Sequence, residues 1–193
     1  MWLTSTLRAW LLFGKAYPLA LASEGNHGGY MLGEYLHYGL LVGLAIALLF
    51  AAFTDLRRRQ IDNWLNAGIA LAAPAFWWAS GLDLWPGVAL QLGVALAAFI
   101  VFAGLFALKM MGGGDVKLLT ALALWIEPTW FLKLLVVMAL AGGLLTIVVA
   151  AWHIMRRQRD RIAIPYGVAI AAGGLWVLGI QYIPQASAAA GLR

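Results

Sequence analysis

Long apolar runs constrain this chain more than any other feature of its sequence. Six of them follow one another, at about Leu36 to Thr54, Trp64 to Ser80, Gly87 to Leu108, Val116 to Ile126, Trp130 to Trp152 and Ile164 to Ile183. Hydrophobic residues make up 64% of the chain and charged residues 11%, against about 25% charged in a soluble domain. Because runs of this length without alternation form helices in lipid, the sequence predicts an all-α, polytopic membrane bundle of about six transmembrane helices.

The expected domain organisation follows from these runs. Residues 36–183 are predicted to form the six-helix transmembrane domain, and residues 184–193 a C-terminal tail. Within residues 1–35, an apolar stretch from Leu7 to Ala22 contains Lys15 and follows Arg8. This segment is consistent with a signal-like sequence, an interfacial helix or an extra span, and the residues leave these alternatives open.

The charges in the connections predict an orientation. Basic residues lie in the first, third and fifth connections, or just beyond them: Arg57, Arg58, Arg59, Lys109, Lys117, Arg156, Arg157, Arg159 and Arg161. The second connection carries Asp83 and the fourth Glu127. The positive-inside rule therefore places the basic connections in the cytoplasm. Membrane orientation thus explains the net charge of +5 without nucleic acid, and we expect a multi-pass protein of the inner (plasma) membrane in contact with lipid.

Two carboxylates lie at the edges of these runs. Asp55 lies at the start of the first connection. Asp115 lies at the end of the third connection, directly after three glycines. The orientation therefore places both aspartates near the same, cytoplasmic, membrane face. Ionisable groups at such positions are costly, so each one is a functional hypothesis.

Two close aspartates that share one proton have the chemistry of an aspartic protease. The ionised member takes a proton from water as it attacks a carbonyl, while the protonated member donates to the carbonyl oxygen. Glycines before Asp115 allow unusual backbone angles and leave room for a substrate backbone. A helix N-terminus would favour the charged form of Asp115, which suggests Asp115 as the ionised partner.

Other interpretations of these residues stay open. Asp115 is also a preferred helix N-cap, and Asp55 is also consistent with a solvated residue at the membrane boundary. Asp62 is expected to cap the second helix, and Lys117 to contact lipid phosphate. The chain has no cysteine, and His27, His37 and His153 share no metal-ligand spacing, so no metal or cofactor is predicted.

Three segments of the chain resemble motifs of the type IV prepilin peptidases, which are G-x-G-D intramembrane aspartic proteases. The run Gly112-Gly113-Gly114-Asp115-Val116-Lys117-Leu118 is similar to their G-x-G-D-x-K-[LM] motif. Asp55 with Arg57, Ile61 and Asn63 resembles the motif in which an Asp precedes arginines and I-P-N. The segment from Ile164 to Ala169 is similar to I-P-[YF]-G-P-A. The chain departs from these motifs at Asp62 and Val168, where the family has proline.

The resemblance implies a role for each matching residue. Asp55 and Asp115 would be catalytic, and the substrate-binding or structural motif positions would be Gly112, Gly113, Gly114, Lys117 and Asn63. The chain is most similar to the short tight-adherence (Flp-pilus) type. Larger members carry a cysteine-rich zinc segment and methylate the product. Since this chain has no cysteine, the resemblance does not imply N-methylation.

The predicted function is a membrane aspartic endopeptidase that removes the short basic leader from type IV prepilin-like substrates. A prepilin or pseudopilin is the expected substrate, and the resemblance extends the expected partners to pilus-assembly or secretion machinery. The alternatives are a preflagellin-type peptidase, an ion-coupled transporter that uses intramembrane carboxylates, and a catalytically silent scaffold.

Overall fold

Every regular element in the described parts of the chain is a helix. The computed structural model describes residues 27–155 and 165–189, so the expectations for residues 1–26 and for Arg156 to Arg161 lie outside it. The six α-helices are α1 (His27–Arg58), α2 (Asn63–Ala79), α3 (Ala89–Ala107), α4 (Gly113–Ala123), α5 (Pro128–Met155) and α6 (Tyr166–Ala189). A short π-helical turn, Leu84–Val88, precedes α3. The prediction of an all-α membrane bundle is therefore confirmed.

Among the residues that the structure describes, four helices have the length and apolarity needed to cross a membrane. They contain the candidate spans Leu32–Arg58, Leu84–Ala107, Pro128–Trp152 and Tyr166–Pro184. Helix α2, with 17 residues, lies at the lower limit of a spanning length. Helix α4 has 11 residues. It rises roughly 16 Å, about half the thickness of the hydrocarbon core.

The predicted boundaries differ from the observed ones at the ends of helices. Helix α1 continues beyond Thr54 to Arg58, so Asp55 lies inside the helix rather than at the start of a loop. Helix α6 continues beyond Ile183 to Ala189. The physical reason is that apolar runs mark the part of a helix that meets lipid, whereas polar residues extend the same helix into the interface.

The short helix α4 lies at the centre of the bundle. It packs against α2, α3, α5 and α6, and its side chains Leu118, Leu119 and Leu122 are fully buried. The unit that contains it, Glu34–Arg193, is one of two compact units of the chain. Since Asp115 belongs to the first turn of α4, its position depends on this central packing.

Side-chain donors from neighbouring helices satisfy the end of α4. The last carbonyls of a helix have no intrahelical partner, and leaving them unpaired in an apolar interior is costly. The buried Gln91 amide donates to the carbonyls of Ala123 at 3.0 Å and Ile126 at 2.7 Å. The indole of Trp77 donates to the Leu124 carbonyl at 2.7 Å. These bonds allow α4 to end inside the bundle.

Helix α6 packs closely against its neighbours where its sequence has small residues. A Cβ at Gly173 would lie 3.0 Å from the Leu134 carbonyl oxygen of α5, and one at Gly174 would lie 2.8 Å from Leu48 Cδ1 of α1. Small residues let helices approach closely where lipid gives no hydrophobic drive to pack. This packing brings the start of α6 beside the end of α1, where Asp55 lies.

Candidate active site

Asp55 lies in the last turn of α1 and is only 6% exposed. Its Oδ2 atom accepts a hydrogen bond of 2.7 Å from the backbone N–H of Gly167. That N–H belongs to the first turn of α6, where N–H groups lack intrahelical partners and favour an anion. Gly167 must lack a side chain, because a Cβ would come within 2.8 Å of Asp55 Oδ2. Thus the motif from Ile164 to Ala169 holds the aspartate of the Asp55 motif.

Asp115 lies in the first turn of α4 and is 8% exposed. The N-cap of α4 is Gly112, three residues earlier, so the interpretation of Asp115 as the N-cap residue is wrong. A Cβ at Gly112 would meet Asp115 Oδ2 at 2.9 Å, which places the carboxylate against the Gly112 backbone. In the described residues Gly81 is the only glycine with positive φ. The glycines before Asp115 therefore serve close approach rather than unusual backbone angles.

The surroundings of Asp115 favour its protonated form. Burial raises the pKa of the Asp115 carboxyl to about 6 from an ordinary 3.8, the Asp55 carboxylate acts in the same direction, and the Gly112 backbone opposes both. A helix N-terminus contributes about 0.3–1 kcal/mol toward the charged form at exposed sites and up to about 2 kcal/mol at partly buried ones. Burial and the neighbouring charge therefore outweigh the helix dipole in setting this pKa. Which aspartate is the ionised partner stays a prediction.

The two aspartates line one cavity of about 360 Å³. The other residues that line it come from the connection between α1 and α2 and from the glycine-rich segment: Arg59, Gln60, Ile61, Asp62, Asn63, Gly112, Gly113 and Gly114. The cavity is large enough for water, which takes about 30 Å³ in the liquid, together with a short peptide segment. The Asp55 motif and the glycine-rich motif of Asp115 therefore meet around a single cavity.

The remaining predicted motif residues form a contact at the edge of this cavity. Lys117 donates a hydrogen bond of 2.7 Å to Asn63 Oδ1, which joins the starts of α4 and α2. Asp62 occupies the N-cap position of α2, as expected, but its side chain makes no capping bond and pairs with Arg58 at 2.8 Å. Asp83 and Glu127 do not line the cavity.

Sequence reasoning missed two residues near the site. Asn66 is 4% exposed, and its amide donates to the Gly114 carbonyl at 3.3 Å. Arg59 lines the cavity in a left-handed conformation with φ 54°, and its N–H donates to the Asp55 carbonyl at 2.8 Å. This geometry ends α1 in the manner usual for glycine. The only sequence signal for Asn66 was a polar residue inside an apolar run, about one helical turn after Asn63.

A second cavity, of about 370 Å³, adjoins the first. It lies between α2, α3 and α4, and Asn63 lines both cavities. Most of its wall is apolar, with polar groups at one end; it is lined by Asn63, Asn66, Ala67, Ala70, Phe99, Lys117, Thr120, Ala121 and Leu124. We call this cavity the α2–α4 groove.

The described residues contain no group of three His, Asp or Glu side chains that could hold a metal ion. What the site does contain is two buried carboxylates around a shared space. Such a pair can hold one proton in common, since two negative charges at short range are costly. An acid and a base beside each other are what hydrolysis of an amide requires.

Comparisons with known proteins show the family to which the chain is similar. A family model described as the type IV leader peptidase family matches residues 42–150, more than half of the chain and the part that contains both aspartates. Proteins named "Prepilin leader peptidase/N-methyltransferase" from Burkholderia pseudomallei strains 1026b and K96243 are each 28% identical over 174 residues. The alignment covers 83% of this chain but 53% of each relative, so the chain spans about half their length. No solved structure matches the chain.

Proposed function

Since the chain belongs to the type IV leader peptidase family, we propose that it is a membrane aspartic endopeptidase. Its substrate is a type IV prepilin-like protein, with a short basic leader followed by a hydrophobic helix. Cleavage takes place at the cytoplasmic face of the inner membrane. The observation that carries the proposal is that Asp55 and Asp115, both buried, line the same cavity.

The mechanism assigns one role to each carboxylate. Asp115 holds the proton of the pair, because burial and the nearby charge favour its neutral form. Asp55 takes a proton from the attacking water as the water oxygen bonds to the scissile carbonyl carbon. Asp115 then donates its proton to the carbonyl oxygen. As the C–N bond of this intermediate breaks, the proton on Asp55 passes to the leaving amine, and a hydroxyl group of the intermediate returns its proton to Asp115 as the carbonyl forms again.

The fixed position of Asp55 supports its role as the base. The Gly167 N–H holds Oδ2 at 2.7 Å, so the carboxylate cannot rotate freely. Effective general-base catalysis depends on such positioning, because a misplacement of about 1 Å can cost about 100-fold in rate. The proposal concerns proteolysis alone and includes no methylation of the product.

The experiment uses the purified chain in lipid vesicles with a full-length prepilin, and mass spectrometry of the released leader. We expect Asp55→Asn and Asp115→Asn each to lower cleavage by about 10³-fold or more, since each removes one half of the acid–base pair. Asp83→Asn is the matched control, because Asp83 makes no capping bond and lies outside the cavity. Normal leader release by either dyad variant would refute the assignment.

A further inference from the structure

Asn66, which lines the α2–α4 groove, carries a buried acceptor that lacks a donor. The Oδ1 atom of Asn66 is buried and has no hydrogen-bond partner in the described part of the chain. The orientation of the amide is determined by Gly114, because its NH₂ group must face the Gly114 carbonyl, 3.3 Å away. The oxygen therefore points away from that carbonyl. Buried side-chain oxygens are nearly always paired, so this one calls for an explanation.

The nearby cation is already engaged. Lys117 also lines the groove, but its ammonium donates to Asn63 Oδ1 at 2.7 Å. Asn63 in turn lines the cavity that contains both aspartates. Asn63 is therefore shared between that cavity and the groove lined by Asn66. Asn66 thus lies in the groove that adjoins the cavity of the two aspartates.

The walls of the groove suit an apolar helix. Ala67 and Ala70 of α2, Ala121 of α4 and Phe99 of α3 all line it. Small side chains let another helix approach closely in a membrane. The first four N–H groups of any helix lack internal partners, and leaving them unpaired in apolar surroundings is costly. An incoming helix start therefore brings the donors that Asn66 lacks.

We propose that Asn66 Oδ1 accepts a hydrogen bond from a backbone N–H of the substrate, just after the cleaved bond, where its hydrophobic helix begins in the α2–α4 groove. The inference rests on the proposed function and adds a substrate-binding residue to it. Asn66 then has two contacts of opposite kind. Its NH₂ group holds Gly114, beside Asp115, and its oxygen holds the substrate backbone.

The test replaces single backbone amides of the substrate by esters at the second to fourth residues after the cleaved bond. An ester lacks the N–H donor and leaves the side chain unchanged. With the wild-type chain in vesicles, we expect one of these esters to raise KM about five- to tenfold, the effect of losing one hydrogen bond. With Asn66→Ala, the all-amide substrate shows a similar rise in KM, and that ester adds nothing further.

Gln181→Ala is the matched control, because Gln181 also has a buried, unpartnered amide oxygen among the described residues but lines neither cavity. It should keep the wild-type response to the ester. If Asn66→Ala does not fold, Asn66→Leu keeps the side-chain volume, and the wild-type ester series decides by itself.

Three outcomes would overturn the inference. In the first, every ester substrate has the same KM as the all-amide substrate with the wild-type chain, which would leave water as the partner of Asn66. The losses from the ester and from Asn66→Ala may multiply, which would assign Asn66 a structural role only. If the wild-type chain fails to cleave the all-amide prepilin, the proposed function falls as well. If the wild-type chain cleaves the prepilin but the effects of the ester and of Asn66→Ala on KM are independent, only the inference about Asn66 falls.

Discussion

At the scale of single residues, each aspartate lies against the backbone of a glycine. Gly167 contacts Asp55, and Gly112 contacts Asp115, each at a distance that excludes a Cβ. Backbone contact holds a carboxylate without a competing charge, and a side chain at either glycine would displace the acid. The close approach of each aspartate therefore explains why Gly167 and Gly112 carry no side chain.

Gly167→Ala tests this explanation. The added Cβ would lie 2.8 Å from Asp55 Oδ2 and 3.0 Å from Asp55 Cβ, so the carboxylate must move and its bond to the Gly167 N–H must lengthen. We expect leader cleavage to fall about 100-fold, with a stability loss of about 1–3 kcal/mol. Gly179→Ala on the same helix is the control, since its nearest neighbour would be an ordinary contact at 3.7 Å. Equal activity of the two variants would contradict the explanation.

The Asp115 carboxyl also predicts a pH dependence of stability. Its pKa is about 6 in the folded chain against an ordinary 3.8. The folded state therefore binds more protons between these values, and the stabilising contribution is complete below pH 4 and is lost as the pH rises through about 6. Thermal unfolding in detergent should show wild type losing up to roughly 3 kcal/mol over this window relative to Asp115→Asn. A difference that does not change with pH would contradict the burial argument.

At the scale of elements, α4 is the helix on which the site depends. It is short and central, and its far end is held by donors from α2 and α3. A helix held at its C-terminus keeps its first turn in register with α2. Asp115 in that first turn therefore faces a cavity whose other residues are supplied by α1 and the α1–α2 connection.

Gln91→Leu tests the support of α4. The change introduces an apolar side chain of similar size. It leaves the carbonyls of Ala123 and Ile126 without the donor that they share. We expect the free energy of unfolding to fall by about 2–6 kcal/mol, from roughly 1–3 kcal/mol for each of the two orphaned carbonyls. Thermal unfolding in detergent measures it, with Leu92→Ala on the exposed face of α3 as control. A variant as stable as wild type would show that water replaces the donor.

At the scale of the whole molecule, the sequence predicted the helices and the meeting of the two acids. Apolar runs separated by charged connections are sufficient for helix number and order, and the alternation of charge predicts which connections share a face. Contacts such as that of Gln91 with Ile126, or Asn66 with Gly114, could not be predicted. A lone polar residue in an apolar run indicates that it needs a partner, but only the packed bundle determines which carbonyl lies within reach.

The orientation of the bundle stays a prediction that labelling can test. The chain has no cysteine, so single-cysteine variants report one position each. Met110, in the α3–α4 connection, and Leu84, in the α2–α3 connection, are neutral and strongly exposed. A membrane-impermeant thiol reagent should label Leu84→Cys in intact cells and Met110→Cys only after permeabilisation. The reverse pattern would place the aspartates at the outer face, and labelling of both from outside would refute the topology.

The central claim is that Asp55 and Asp115 act as one catalytic unit in a shared cavity. The most direct measurement compares the rate of prepilin leader release by Asp55→Asn, Asp115→Asn and the double variant in the same vesicles. Residues that act as a unit show non-additive effects. We predict that the double variant is no slower than the slower single variant. Losses that multiply, or a single variant with the wild-type rate, would contradict the claim.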